Sequence, residues 1–229
     1  MNKKIFSKNC NLSSYTTIKV GGVAEYFAEP RSIEEFSFLI KWANLNKQRC
    51  QIIGAGSNLL INNIFIKGLV VCTKKLKSLK IEPYSGIVEA EAGVMLPTLS
   101  NSLAKNGLQG GEWAVGIPGT LGGAIYMNAG TGNLSLAKNL ISVKVINNKT
   151  LEQIEIGKKD INFEYRFSSF QSNDLTIISA KLHFEPNGNL EQLIQTTKNN
   201  LKLKKKHNHI INQVLVVFLK ILKIIMQQN

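Results

Sequence analysis

The run GGEWAVGIPGTLGGAIYMNAG, residues 110–130, limits the fold of this chain more than any other stretch. It holds seven glycines, with Gly132 just beyond, and Glu112 is its only charged residue. That glycine density far exceeds ordinary usage, yet the residues between are too apolar for a solvated linker. Pro118-Gly119 marks a turn, and Gly122-Gly123 permits close backbone approach. A buried, glycine-rich, mostly uncharged loop suits a large planar cofactor with a pyrophosphate tail. A tightly packed turn in a β-structure accounts less well for so long a run.

A second glycine loop lies upstream, at Gly54-Ala55-Gly56-Ser57-Asn58. Gly54 and Gly56 allow positive φ, so successive N–H groups can converge on an anion, with Ser57 and Asn58 adding side-chain donors. A Rossmann fingerprint needs a third glycine opening a helix. Here Leu59-Leu60-Ile61 follows with strand character, so Rossmann-type dinucleotide binding is disfavoured. Taken alone, the loop suits an anion site and a ligand-free β-turn equally.

A chain of 229 residues makes one large domain or two small ones and can bury a real core. Its three cysteines, Cys10, Cys50 and Cys72, are scattered without a CxxC pair. That argues against a disulfide framework or a metal site and suits a reducing compartment. The N-terminal residues lack the apolar core of a secretory signal. The net charge of +13 is spread along the whole chain, without an aromatic RNA-binding motif or zinc finger. A genome rich in Lys, Asn and Ile codons explains most of it, with an anionic small ligand as a minor contributor and no nucleic acid as partner.

Along the chain, TTIKVGGVAEYF reads as strand, tight turn, strand, and SIEEFSFLIKWANLNK as a helix capped by Ser32. Short apolar runs at CQIIGAGSNLLI and GLVVCT complete a first α/β unit, residues 1–73. LKIEPYSGIVEAEAGV, LISVKVINN and LTIISAKLHFEP read as strands and MLPTLSNSLAKNG as a helix stopped by Gly107, giving a second α+β unit over 74–187. Residues 189–206 read as a further helix, and residues 188–206 as the start of a third unit.

Four segments, SSYTTIKVGGVAEYF, IIGAGSNLLI, GGEWAVGIPGTLGGAIYMNAG and FEYRFSSF, resemble in order and spacing the UDP-N-acetylenolpyruvoylglucosamine reductase family over roughly residues 12–185. The resemblance implies an α+β fold of the FAD-binding PCMH, or vanillyl-alcohol-oxidase, type, with two α+β subdomains gripping FAD over about residues 16–185. It also implies NADPH as hydride source and a UDP-sugar enolpyruvyl ether as acceptor, in peptidoglycan synthesis. Carried over by motif, Gly54, Ala55, Gly56, Ser57 and Asn58 line the FAD diphosphate, and Gly119, Thr120, Gly122 and Gly123 line the other side. Arg166, in EYRFSSF, matches the catalytic arginine. A planar guanidinium suits the enolate-like carboxylate left when hydride adds to the enolpyruvyl β-carbon. Tyr165 beside it reads as a packing residue. Asn63 stands where the family has an acid, and the short Arg166–Glu185 spacing matches the family's type II branch.

The resemblance also implies a third, substrate-binding domain with a G-S-x-F-x-N-P motif, whose Ser donates a proton, and a late Glu. Neither occurs in the frame given, so that domain is missing from the expected fold. Residues 207–229 are apolar and basic, but too short and too interrupted by lysine to span a bilayer. Shifting the reading frame of this tail one base upstream, with permitted synonymous codons, yields GSVFKNPE. The tail is thus expected to be out of frame after the three lysines at 204–206, with turnover impaired. The sequence-level expectation is a cytoplasmic FAD- and NADPH-dependent reductase. A different flavin oxidase on the same fold, or a basic membrane- or nucleic-acid-binding module, are its rivals.

Overall fold

A computed structural model describes residues 5–61, 64–172 and 174–206. Asn63 and the tail at 207–229 lie outside the described residues, and with them the expectations placed there.

The first unit contains β1 (Ser7–Asn11), β2 (Val23–Ala28), α1 (Ile33–Leu45), β3 (Cys50–Ile53) and β4 (Phe65–Cys72). Its four strands lie in the order β1-β2-β4-β3. β1 runs antiparallel to β2, whereas β2 and β3 both run parallel to β4. Central parallel strands are covered on both faces and read as continuous apolar runs. Leu69, Val70, Val71 and Cys72 of β4 accordingly expose at most 1 % of their surface.

α1 starts where the sequence predicts. Ser32 Oγ accepts from the Glu35 N–H at 3.2 Å, and the Glu35 carboxylate accepts from the Arg31 N–H at 2.8 Å. Two amide donors that the helix cannot itself satisfy are thereby paired. Phe36, Leu39, Ile40 and Ala43 fall on one face at helical spacing. They pack with Leu69 and Val71 of β4 and with Ile146 and Ile178 of the second sheet. Each such Phe, Leu or Ile contributes about 1.5–3 kcal/mol on burial, so one shared core joins the two sheets.

The second unit contains β5 (Leu79–Glu82), β6 (Ile87–Glu91), α2 (Leu96–Lys105), α3 (Leu121–Tyr126), β7 (Gly130–Thr131), β8 (Leu134–Ser135), α4 (Leu136–Asn139), β9 (Leu140–Asn147), β10 (Gln153–Gly157), β11 (Phe163–Glu164), β12 (Phe167–Ser168) and β13 (Leu175–His183). Five of these strands form an antiparallel sheet, β10-β9-β13-β6-β5. α2 and α3 cover it through a core that includes Leu96, Leu99, Leu103, Leu121 and Ile125. α2 ends just before Gly107, whose φ of +68° suits glycine at a helix C-terminus.

A last helix, α5, spans residues 190–206. Asn200 Nδ2 donates to the Glu112 carbonyl at 3.1 Å, and Lys204 Nζ to Thr131 Oγ1 at 3.1 Å. These bonds tie α5 to the glycine-rich segment.

Two local expectations fail. TTIKV forms a closed loop, not a strand: Thr16 is buried, its Oγ1 donates to the Val20 carbonyl at 2.7 Å, and Lys19 has a φ of +59°. Side-chain capture of a nearby carbonyl competes with the sheet ladder at such a Thr. Leu59-Leu60-Ile61 is not a strand either, and Leu60 is 81 % exposed.

Candidate functional site

The first glycine loop leaves the C-terminal end of β3. Thr73 Oγ1 donates to the Ile53 carbonyl at 3.3 Å, and Cys72 Sγ lies 3.5 Å from the Gly54 carbonyl. Gly56 has a φ of +66°, and a Cβ there would overlap the Tyr15 carbonyl. The Gly56 carbonyl accepts from the Thr17 N–H at 3.0 Å. Only glycine combines this left-handed backbone with so close an approach. The TTIKV loop therefore acts as a backing wall that shapes residues 54–58.

The second loop is pinned from behind by the chain that follows β6. The Gly119 carbonyl accepts from the Leu96 N–H at 3.0 Å, while the Leu121 and Gly122 N–H groups donate to Val94 and Ala92, each at 2.8 Å. Thr120, 1 % exposed, caps α3 by accepting from the Gly123 N–H at 3.4 Å.

The two loops meet. Ser57 Oγ donates to the Pro118 carbonyl at 2.9 Å. A Cβ on Gly54 would overlap Thr120 Oγ1, so this approach depends on a residue without a side chain. A Cβ on Gly119 would stand 3.4 Å from Ser57 Oγ. Gly54, Ala55, Gly56, Ser57 and Asn58 are thus brought against Gly119 and Thr120, with Gly122 and Gly123 in the first turn of α3.

The N–H groups of Ala55, Gly56, Ser57, Asn58, Gly119 and Thr120 donate to no described residue. Buried backbone donors are almost always paired in folded proteins, and of these residues Gly56 and Thr120 are buried. A run of amides without a described partner on two touching, glycine-rich turns can serve an anion. Such a run fits the diphosphate of a dinucleotide cofactor, since its oxygens accept only and need directed donors.

Arg166 lies on a different element. β11 and β12 form a hairpin, with Tyr165 and Arg166 as its two-residue turn. Arg166 has a φ of +58°, uncommon for a residue other than glycine. Its guanidinium is exposed, lies 5.5 Å from the Tyr165 ring and forms no ion pair with a described residue. The expectation that Tyr165 packs is wrong: at the tip of the two-residue turn it is 90 % exposed.

The hairpin docks on the C-terminal end of α3. Ser168 Oγ and Gln171 Nε2 each donate to the Tyr126 carbonyl at 2.8 Å, and Asn128 Nδ2 donates to the Glu164 carbonyl at 2.9 Å. α3 has six residues, a rod of about 9 Å at 1.5 Å per residue. One end carries the second glycine loop and the other supports Arg166. Sequence reading missed Ser168, Gln171 and Asn128 as supports, since an isolated polar residue carries no pattern.

Nearby titratable groups are held neutral. Burial, aided by the Glu29 carboxylate, pushes the Tyr15 hydroxyl up to about 12. Burial also raises the Cys72 thiol, so it is no ready nucleophile. Among the described residues no cluster of His, Cys, Asp or Glu is arranged to hold a metal, and no helix is long and apolar enough to cross a membrane.

Residues 24–153 match a family model described as an FAD binding domain. UDP-N-acetylenolpyruvoylglucosamine reductase from Prochlorococcus marinus subsp. pastoris is 70% identical over 199 residues, covering 87% of this chain and 67% of that protein. The same enzyme from a second Prochlorococcus marinus strain is 44% identical over 206 residues, covering 90% of this chain and 70% of the relative. The crystal structure of the Thermus caldophilus enzyme superposes with a TM-score of 0.71 at 25% identity, covering 86% of this chain and 68% of that one. The chain thus spans about two thirds of the length of these relatives. Its fold is the α+β, FAD-binding PCMH type that the four motifs imply.

Proposed function

The chain belongs to the UDP-N-acetylenolpyruvoylglucosamine reductase family, and from that membership we propose that it holds FAD between its two glycine loops and serves a hydride transfer from NADPH to a UDP-sugar enolpyruvyl ether. The observation that carries this reading is the set of main-chain amides on residues 55–58, 119 and 120 that have no partner among the described residues, on two loops joined by the Ser57–Pro118 hydrogen bond.

In this reading Ala55 to Asn58 donate to one face of the diphosphate, and Gly119 and Thr120 to the other. Gly123 keeps the first turn of α3 thin enough for the cofactor to lie against it, whereas Gly122, expected beside the cofactor, instead lets that turn sit against Ala92. The short helix directs its amide dipoles the same way. Bound FAD supplies the two-electron chemistry that links the nicotinamide to the enolpyruvyl group.

Arg166 is the substrate-facing residue. An exposed guanidinium without an ion-pair partner among the described residues is available to take a carboxylate through two parallel N–H···O bonds. That carboxylate gains negative charge as the adjacent double bond is reduced, so the contact strengthens along the reaction, which is the condition for lowering a barrier. As part of peptidoglycan synthesis, the reaction belongs in the cytoplasm.

The experiment separates the two half-reactions. The purified chain is loaded with FAD and mixed anaerobically with NADPH, and flavin absorbance is followed. The enolpyruvyl nucleotide is then added. The reading expects bleaching by NADPH and recovery of the absorbance with the nucleotide beyond recovery in buffer alone. Bleaching no faster than that of free FAD, or recovery indifferent to the nucleotide, refutes it.

A further inference from the structure

Arg166 holds a left-handed backbone conformation, with a φ of +58°, that costs a non-glycine residue free energy and persists only when its surroundings impose it. One side chain does so. Gln171 Nε2 donates to the Arg166 carbonyl at 3.2 Å and to the Tyr126 carbonyl at 2.8 Å, with Met127 Sδ at 3.6 Å. An amide nitrogen has two hydrogens, and the two carbonyls use both.

We propose that Gln171 is a positioning residue for Arg166: its amide fixes the turn bearing the guanidinium and locks it to the end of α3, whose other end is the second glycine loop. The proposal rests on the reading of Arg166 as the ligand of the substrate carboxylate.

The geometry favours Gln171 over its neighbours for this role. Ser168 Oγ reaches the same Tyr126 carbonyl at 2.8 Å, but makes no bond to the turn. Asn128 grips Glu164, on the strand before the turn. Gln171 alone among the described residues bonds both the turn and the helix end. Because Gln171 ends a one-turn 3-10 helix, Ser169–Gln171, that continues directly from β12, the reach is short and the geometry stiff.

The test replaces Gln171 in the full, FAD-loaded chain. Gln171→Met keeps length and volume but removes both donors, and Ser168→Ala removes one bond to α3 while leaving the turn's own bond. Hydrogen exchange is read over residues 163–168, with β13 as the control for global stability. Two lost hydrogen bonds should raise local opening roughly tenfold or more, so Gln171→Met is expected to accelerate exchange at 163–168 by that factor with β13 unchanged. Ser168→Ala should give a smaller effect on the turn.

In the half-reactions, Gln171→Met should leave bleaching by NADPH unchanged and slow recovery by the enolpyruvyl nucleotide about as much as Arg166→Ala does. Unchanged exchange at 163–168, or accelerated exchange with wild-type recovery, overturns the proposal. If the wild-type chain itself shows no nucleotide-dependent recovery, the reductase reading falls, and the exchange result alone decides whether Gln171 sets the turn.

Discussion

Ser57 and Pro118, sixty-one positions apart in sequence, are joined by a 2.9 Å hydrogen bond from the Ser57 hydroxyl to the Pro118 carbonyl. That bond closes the two glycine loops on each other. Ser57→Ala should cost about 1 kcal/mol of stability and weaken FAD binding without abolishing it. Thermal unfolding with and without FAD checks both, since a ligand that binds only the folded state raises the midpoint in proportion to its affinity.

Gly123 separates a binding role from a packing one. A Cβ there meets only Thr120 Oγ1, at 3.5 Å, which is ordinary contact. In a helix, alanine is more favourable than glycine by about 1 kcal/mol. Gly123→Ala should therefore leave the cofactor-free protein as stable as wild type or slightly more so. If the diphosphate lies against this turn, FAD affinity should nevertheless fall at least tenfold, as read by flavin fluorescence titration.

Gly56→Ala should behave oppositely. Its Cβ would overlap the Tyr15 carbonyl, a main-chain atom that cannot rotate away, and the backbone is left-handed as well. A loss of about 2–4 kcal/mol is expected from combined overpacking and strain. Urea unfolding should show the loss without any cofactor present.

Arg166→Lys keeps the charge and removes the planar fork. Lysine presents a point charge where the carboxylate wants two parallel donors. FAD binding and bleaching by NADPH should match wild type, while recovery by the enolpyruvyl nucleotide should slow by roughly tenfold to a hundredfold, as expected for a lost charge-assisted bidentate contact. Stopped-flow absorbance reads both phases.

Tyr15 links stability to alkaline pH. Its hydroxyl ionises at about 12 in the folded chain, against 10.0 for the unperturbed group. The neutral form is therefore favoured by folding. Its contribution is complete below about pH 10 and is lost as pH rises toward 12. The Tyr15→Phe variant retains the ring, which lies 4.3 Å from Phe27, and should show a shallower fall in melting temperature across that window.

These outcomes also indicate which parts of the molecule could be read from sequence. α1 was legible because Ser32, Glu34 and Glu35 sit where amide donors need partners, and its apolar residues repeat at helical spacing. Strands β5, β6, β9 and β13 of the second sheet were legible from their apolar patterning, but the edge strand β10 was not. The two glycine loops were legible as main-chain surfaces because side chains are missing there, but their contact was not, since the Ser57–Pro118 bond depends on how two sheets pack. TTIKV misled because alternation predicts a strand, whereas the Thr16 hydroxyl captures the Val20 carbonyl and closes a loop. Gln171 was invisible: one glutamine in a polar stretch becomes a support only when folding sets it between the Arg166 and Tyr126 carbonyls.

Comparing FAD with riboflavin on the full chain tests the central claim most directly. If main-chain amides on two touching turns grip the diphosphate, calorimetry should find one FAD bound per chain and riboflavin bound at least a hundredfold more weakly. Equal affinity for the two, or no flavin binding at all, would contradict the account.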